Sequence, residues 1–135
     1  MVFRLRGARG SKYANQKTTI AGNKFDSKLE AEHWIALKAR EARGEIVGLK
    51  RQVWIKLTEK PRGRGRNVFY VPDFVFFDKT LGEVVLMDSK GFLTPEYQVK
   101  RDWLLDKYRG FVFVELHKKK ETIYKPYGEI NINLF

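Results

Sequence analysis

The sequence predicts an α/β (α+β) fold: a central mixed sheet flanked by helices, in the order helix, three strands, helix, strand (αβββαβ). Three observations predict it. A chain of 135 residues with ten Phe, six Tyr and three Trp is one domain with material for a real core. Two segments carry helix punctuation, a capping residue at the start and a stop signal or proline placed as helices use them. Between and after them lie apolar runs of strand length, separated by Gly-, Asp- and Asn-containing turns.

Taken in order, residues 1–16 are basic and polar and are expected to form an N-terminal arm that is either partly disordered and flexible or ordered only on DNA. Residues 17–135 form the single domain. "KTTIAGNKF" (17–25) reads as a hairpin turning at Gly22-Asn23. A helix follows over 27–43, stopped by Gly44. "IVGLKRQVWIKL" (46–57) reads as a strand, "PRGRGRN" (61–67) as a basic Gly-rich loop, and "VFYVPDFVFF" (68–77) as the next strand. "EVVLMDSK" (83–90) completes a three-strand meander. A second helix is expected over 95–108, with Thr94 as N-cap and Pro95 at its first position, and "FVFVEL" (111–116) is a further strand. The tail "YKPYGEINI" has no assigned element.

The composition narrows the classes of function. No run of 18 apolar residues is present, so no membrane-spanning helix is expected, and the basic N-terminus lacks the apolar stretch of a secretory signal. The absence of cysteine rules out disulfides and thiolate metal sites and fits a cytoplasmic location. A net charge of +11, from 27 Lys and Arg against 16 Asp and Glu, points to a polyanionic partner, with nucleic acid the commonest.

The chemistry concentrates at two strand ends. Side chains alternate along a strand, so Asp88 and Lys90 share one face with Leu86, and Asp73 shares one with Val71 and Val75. Antiparallel pairing of these strands brings Asp73 beside Asp88. Two close carboxylates repel unless a proton or a cation intervenes, and oxygen ligands of this kind suit Mg²⁺, with Mn²⁺ as a substitute. Lys90 is suited to hold an attacking water or stabilise developing phosphorane charge. A bland reading stands beside this one, with Asp88–Lys90 an exposed ion pair and Asp73 the start of a bend after Pro72.

The first helix offers a third acid. Glu30 lies on an arc with His33, Trp34 and Leu37 that faces the core, whereas Glu32 falls on the opposite, solvent side. Glu41 shares the arc near the far end and is the spare. Ser27 and Glu30 also have the spacing of a capping box, in which Glu30 would merely reach back to the Ser27 N–H.

Glu30, Pro72-Asp73 and Asp88-x-Lys90 in this element order resemble the PD-(D/E)xK nuclease superfamily. "SKLE", "YVPDF" and "DSKG" look closest to its phage endonuclease I-type junction resolvases. More narrowly, residues 11–118 are similar to an uncharacterised family of small phage and prophage nuclease-like proteins. The resemblance implies a Mg²⁺-dependent endodeoxyribonuclease. Asp73 and Asp88 would bind metal, Glu30 would complete or bridge a second metal, and Lys90 would orient the water. The acid before x-Lys is Asp88 rather than Glu. Where the endonuclease I type carries a second glutamate, this chain has Gln52, which is either site-adjacent or an ordinary strand amide.

Lys60, Arg62, Arg64 and Arg66 lie on a loop suited to follow a phosphate backbone. Lys100 and Arg101 are expected to clamp phosphate from the second helix, and Arg4, Arg6, Arg9 and Lys12 to lie in a groove. Tyr97, Leu104 and Tyr108 share a face expected in the core, and His33 and His117 are read as structural. Branched DNA is two-fold symmetric, so a junction-resolving enzyme is expected to be a homodimer. The leading expectation is therefore a structure-specific endonuclease on branched DNA, of the Holliday-junction resolvase kind and used in phage recombination. The alternatives are a nuclease of the same fold on ordinary duplex or nicked DNA, or a DNA-binding module that does not cleave.

Overall fold

The computed structural model describes residues 17–20, 22–58, 65–90 and 92–135. The chain opens on a hairpin, β1 (Thr18–Ile20) and β2 (Asn23–Phe25), in which Asn23 already pairs with Ile20. Gly22 therefore lies in the turn and Asn23 already belongs to the strand. Ser27 caps α1 (Lys28–Ala42) by accepting the Glu30 N–H at 3.0 Å. The helix ends at Arg43, and Gly44 takes the left-handed conformation (φ 79°) that glycine adopts without a Cβ penalty.

The five-stranded sheet has the order β10-β9-β7-β6-β3, formed by Glu121–Tyr124, Val112–Leu116, Glu83–Ser89, Phe74–Asp78 and Ile46–Arg51. Only β7 and β9 run parallel, joined through α2 (Pro95–Lys107). The expected αβββαβ core is thus α1, β3, β6, β7, α2 and β9, and the sheet is mixed. Strand alternation sorts its side chains onto two faces. Phe74, Phe76, Val85, Met87, Val112 and Val114 pack under Leu37 of α1, and Val75, Leu86 and Phe113 pack under Leu104 and Leu105 of α2. One helix covers each face. Thr94 caps α2 by accepting the Tyr97 N–H at 3.1 Å, but the helix stops before Tyr108, which turns extended into β8 (Tyr108–Arg109). The tail returns to that point as β11 (Ile130–Asn131), parallel to β8. Gly128 packs so closely there that a Cβ would meet the Lys107 backbone at 2.2 Å.

Two expected strands are each broken in two. The segment 46–57 divides into β3 and β4 (Ile55–Thr58), because Gln52 sits at φ 55°, which a ladder cannot continue. The segment 68–77 divides into β5 (Val68–Tyr70) and β6 at Val71-Pro72-Asp73, where Pro72 has no N–H to donate. The halves part company: β3 pairs with β6 in the main sheet, and β4 with β5 in a separate ribbon. The breaks are tied to each other, since Gln52 N–H donates to the Asp73 carbonyl at 3.3 Å. Among the described residues no helix is long and apolar enough to cross a membrane.

Candidate functional site

The site forms where the ribbon leaves the sheet. Phe74 pairs with Met87, so the residues flanking that rung, Asp73 and Asp88, come next to each other. Backbone donors from the facing strand end fix each one: Asp88 Oδ1 accepts the Asp73 N–H, and Asp73 Oδ2 accepts the Ser89 N–H, both at 2.8 Å. The Tyr70 hydroxyl donates to Asp88 Oδ2. Asp88 is only 1 % exposed. Burial, then the Asp88 and Glu30 charges, push the Asp73 carboxyl up to about 8 from its ordinary 3.8. Asp88 is also raised, chiefly by burial, with Lys90 and the Tyr70 hydroxyl acting against the shift.

Lys90 follows β7 with its own N–H still donating to the Leu116 carbonyl of β9 at 2.8 Å. Its ammonium lies 4.3 Å from the centroid of the Tyr97 ring, on the same face as Asp88. A cavity of about 290 Å³ opens on Asp88 and Lys90 and continues past Tyr70 and Tyr97 to Lys100.

Glu30 is buried on the inner side of α1. It does not close a capping box; its Oε2 accepts from Gln52 Nε2 at 3.4 Å and stands 3.6 Å from Arg51 Nη2. Burial raises its pKa against the opposing Arg51 charge; the Asp26 charge adds to the shift, and a bond from the Asp26 backbone N–H works against it. Arg51 covers the Phe25 ring at 4.0 Å and donates to the Lys24 carbonyl, while its buried Nε has no hydrogen-bond partner among the described residues. Gln52 therefore touches both halves of the region, Glu30 through its side chain and Asp73 through its backbone. Glu32 is exposed, and Glu41 is held by Lys38 and the Leu49 N–H, away from the acids. Among the described residues, no three of His, Asp and Glu are grouped so as to hold a metal ion.

Sequence reasoning missed Glu115. It pairs with Asp88 across the parallel β7–β9 rung and is 1 % exposed. Three donors converge on it: Tyr97 Oη at 2.6 Å, Arg101 Nη1 at 3.0 Å and His117 Nε2 at 2.9 Å. Burial alone would raise its carboxyl; those donors outweigh it and hold the group below the usual range. The one signal in the sequence is an acid at a core-facing position of "FVFVEL". Arg101, expected on phosphate, is spent on Glu115, the Tyr124 hydroxyl and Asp102, with its side chain 11 % exposed. His117 serves the same network, and His33 Nδ1 meets Ser89 Oγ at 2.5 Å, which places both histidines at the site's border.

Lys100 is half-exposed at the cavity, 4.0 Å from Glu96, and Arg66 is exposed ahead of β5. Lys60, Arg62, Arg64, Arg4, Arg6, Arg9 and Lys12 lie outside the described residues. The family described as "Protein of unknown function (DUF1064)" matches residues 10–123, and the chain belongs to that family. No curated protein matches the chain.

Proposed function

We propose that the protein is a metal-dependent endodeoxyribonuclease that hydrolyses phosphodiester bonds in branched DNA. The observation that carries this reading is the Asp73 N–H bond to Asp88 Oδ1, which with the Ser89 N–H bond to Asp73 Oδ2 sets the two carboxylates side by side ahead of Lys90. Two adjacent carboxylates with raised pKa values, Asp88 buried and Asp73 partly so, are an arrangement that costs stability unless a proton or a cation shares them. The donor set fits Mg²⁺, which needs only one or two carboxylates beside water and phosphate oxygens. Bound at Asp73 and Asp88, it would activate water and offset phosphate charge.

The chain's own groups supply the rest. The Tyr70 hydroxyl and the Asp73 N–H fix the Asp88 carboxylate, and the Ser89 N–H fixes Asp73. Lys90, held over Tyr97, directs its ammonium to the same face, suited to orient a water or to meet negative charge growing on the phosphorus oxygens. Glu30 adds negative potential at Asp73 from the α1 side. The net charge of +11 favours the DNA backbone. The two-fold symmetry of branched DNA favours a homodimer.

A second reading, a DNA-binding module of this fold that does not cleave, draws on the lack of a three-acid metal group among the described residues. Cleavage assays in Mg²⁺ or Mn²⁺ on linear duplex, single strand, flap and four-way junction separate the two. The nuclease reading expects cutting, strongest on branched substrates. It also expects Asp88→Asn to abolish cutting while DNA binding stays within a few fold. Normal cleavage by Asp88→Asn removes the site, and DNA bound but never cut favours the module.

A further inference from the structure

We infer that Trp54 and Phe69 form a stacking ledge for an unpaired nucleobase beside the acid pair. The inference rests on the nuclease reading for the position of the cut phosphate. It stands on three observations outside that site's chemistry.

The first is the exposure of the indole. Trp54 is 67 % exposed, and its ring meets Phe69 at 5.3 Å between centroids, edge to face at 69°. Neither ring belongs to a core cluster, although their neighbours Ile55 and Tyr70 do. The second is the backbone that puts them there. The break at Gln52 frees β4 from the main sheet and pairs it with β5, so Ile55 and Leu57 turn inward. Trp54 then falls on the outward side with Lys56, whose register partner is Phe69. The third is continuity with the site: Phe69 also lines the cavity that opens on Asp88, Lys90 and Lys100.

The surroundings select the occupant. Tyr70 and Tyr97 have their hydroxyls committed to Asp88 and Glu115, and Tyr97 carries Lys90 against its ring. Trp54, by contrast, faces water over the half-buried Phe69, beside a surface where Lys56, Lys90 and Lys100 outnumber the exposed acid Glu96. Aromatic faces set among cations are what single-stranded nucleic acid takes, because every base has a π-face to stack and a phosphate to pair. Bases inside a duplex are already stacked on one another. The ledge therefore favours DNA with a displaced or unpaired nucleotide next to the cut, as at a flap or a branch point.

The test is equilibrium binding in EDTA at fixed salt, using a labelled duplex and the same duplex with a short single-stranded flap. Wild type is expected to bind the flap more tightly. Trp54→Ala should weaken flap binding by about 5- to 100-fold, with duplex binding changed by less than about twofold, and Trp54→Phe should retain most of the affinity. Since Trp54 is exposed, both variants should melt within a few degrees of wild type. Equal loss on both DNAs, no loss on either, or no DNA binding by wild type overturns the ledge. So does dimerisation that Trp54→Ala abolishes without a flap-selective loss, which would make the ledge a self-interface. A ledge-dependent flap preference without any cleavage in Mg²⁺ leaves the ledge standing and removes the nuclease reading. Cleavage without flap preference does the reverse.

Discussion

Tyr70→Phe removes one hydroxyl from the centre of the site and almost nothing else. The ring remains, packed against Phe113 at 5.9 Å and Tyr97 at 6.4 Å, so no cavity opens. What disappears is the donor to Asp88 Oδ2. Tyr70 is 4 % and Asp88 1 % exposed, so only a water drawn in from the adjoining cavity could take the place of the hydroxyl. The Asp73 N–H still serves Oδ1 at 2.8 Å, which leaves one carboxylate oxygen buried without its partner. A hydrogen bond to a charged, buried acceptor contributes about 1.5–3 kcal/mol, and losing it lowers Tm by roughly 5–10 °C in a domain of this size. A second effect follows if Asp88 holds a cation. Groups that orient a ligating carboxylate typically change metal affinity about 10- to 100-fold. Urea denaturation without divalent ions measures the first effect, and calorimetric titration with Mn²⁺ the second. A Tyr70→Phe protein within about 0.3 kcal/mol of wild type, with unchanged Mn²⁺ affinity, would refute the assignment of Tyr70 as the group that orients Asp88.

Three further variants test other parts of the structure. Arg101→Gln leaves Glu115 buried with its main countercharge gone and should cost about 3–5 kcal/mol in chemical denaturation; Lys100→Ala should melt like wild type and weaken DNA binding, and a reversal of those two phenotypes would return Arg101 to the DNA surface. Asp78 accepts from Arg40 Nη2 at 2.8 Å and from the Thr80 and Leu81 N–H groups; although burial pushes its carboxyl up, these donors outweigh it and hold the pKa below 3.8. Its contribution is therefore fully present above the unfolded-state pKa near 3.8 and lost as pH falls through the lower folded value, so Asp78→Asn should destabilise at pH 7 by about 1–3 kcal/mol and by less at pH 3 in parallel melts.

What could be read from the sequence and what could not divides along the range of the interactions. Ser27 and Thr94 announce their helices because each caps a backbone N–H three residues away, and such local chemistry is complete within the segment. The Asp73–Asp88 contact was also legible, since a short turn and a period of two fix the register of β6 on β7. The breaks at Gln52 and at Pro72 were harder. Gln52 carries no mark of a left-handed residue, and its conformation is set by bonds to Glu30 and Asp73, 22 and 21 positions away in the chain. Glu115 was invisible for a related reason. Its neighbour Asp88 arrives through a parallel pairing across the whole of α2, and no local pattern specifies that register. Once the rung is formed, Glu115 must be neutralised or surrounded by donors, and Tyr97, Arg101 and His117 are drawn in. The same residues then fix the ring that carries Lys90. The acid that the sequence hides is therefore the one that links the fold's long-range pairing to the position of the lysine, and the stability of β9 and the geometry of the site rest on a single buried network.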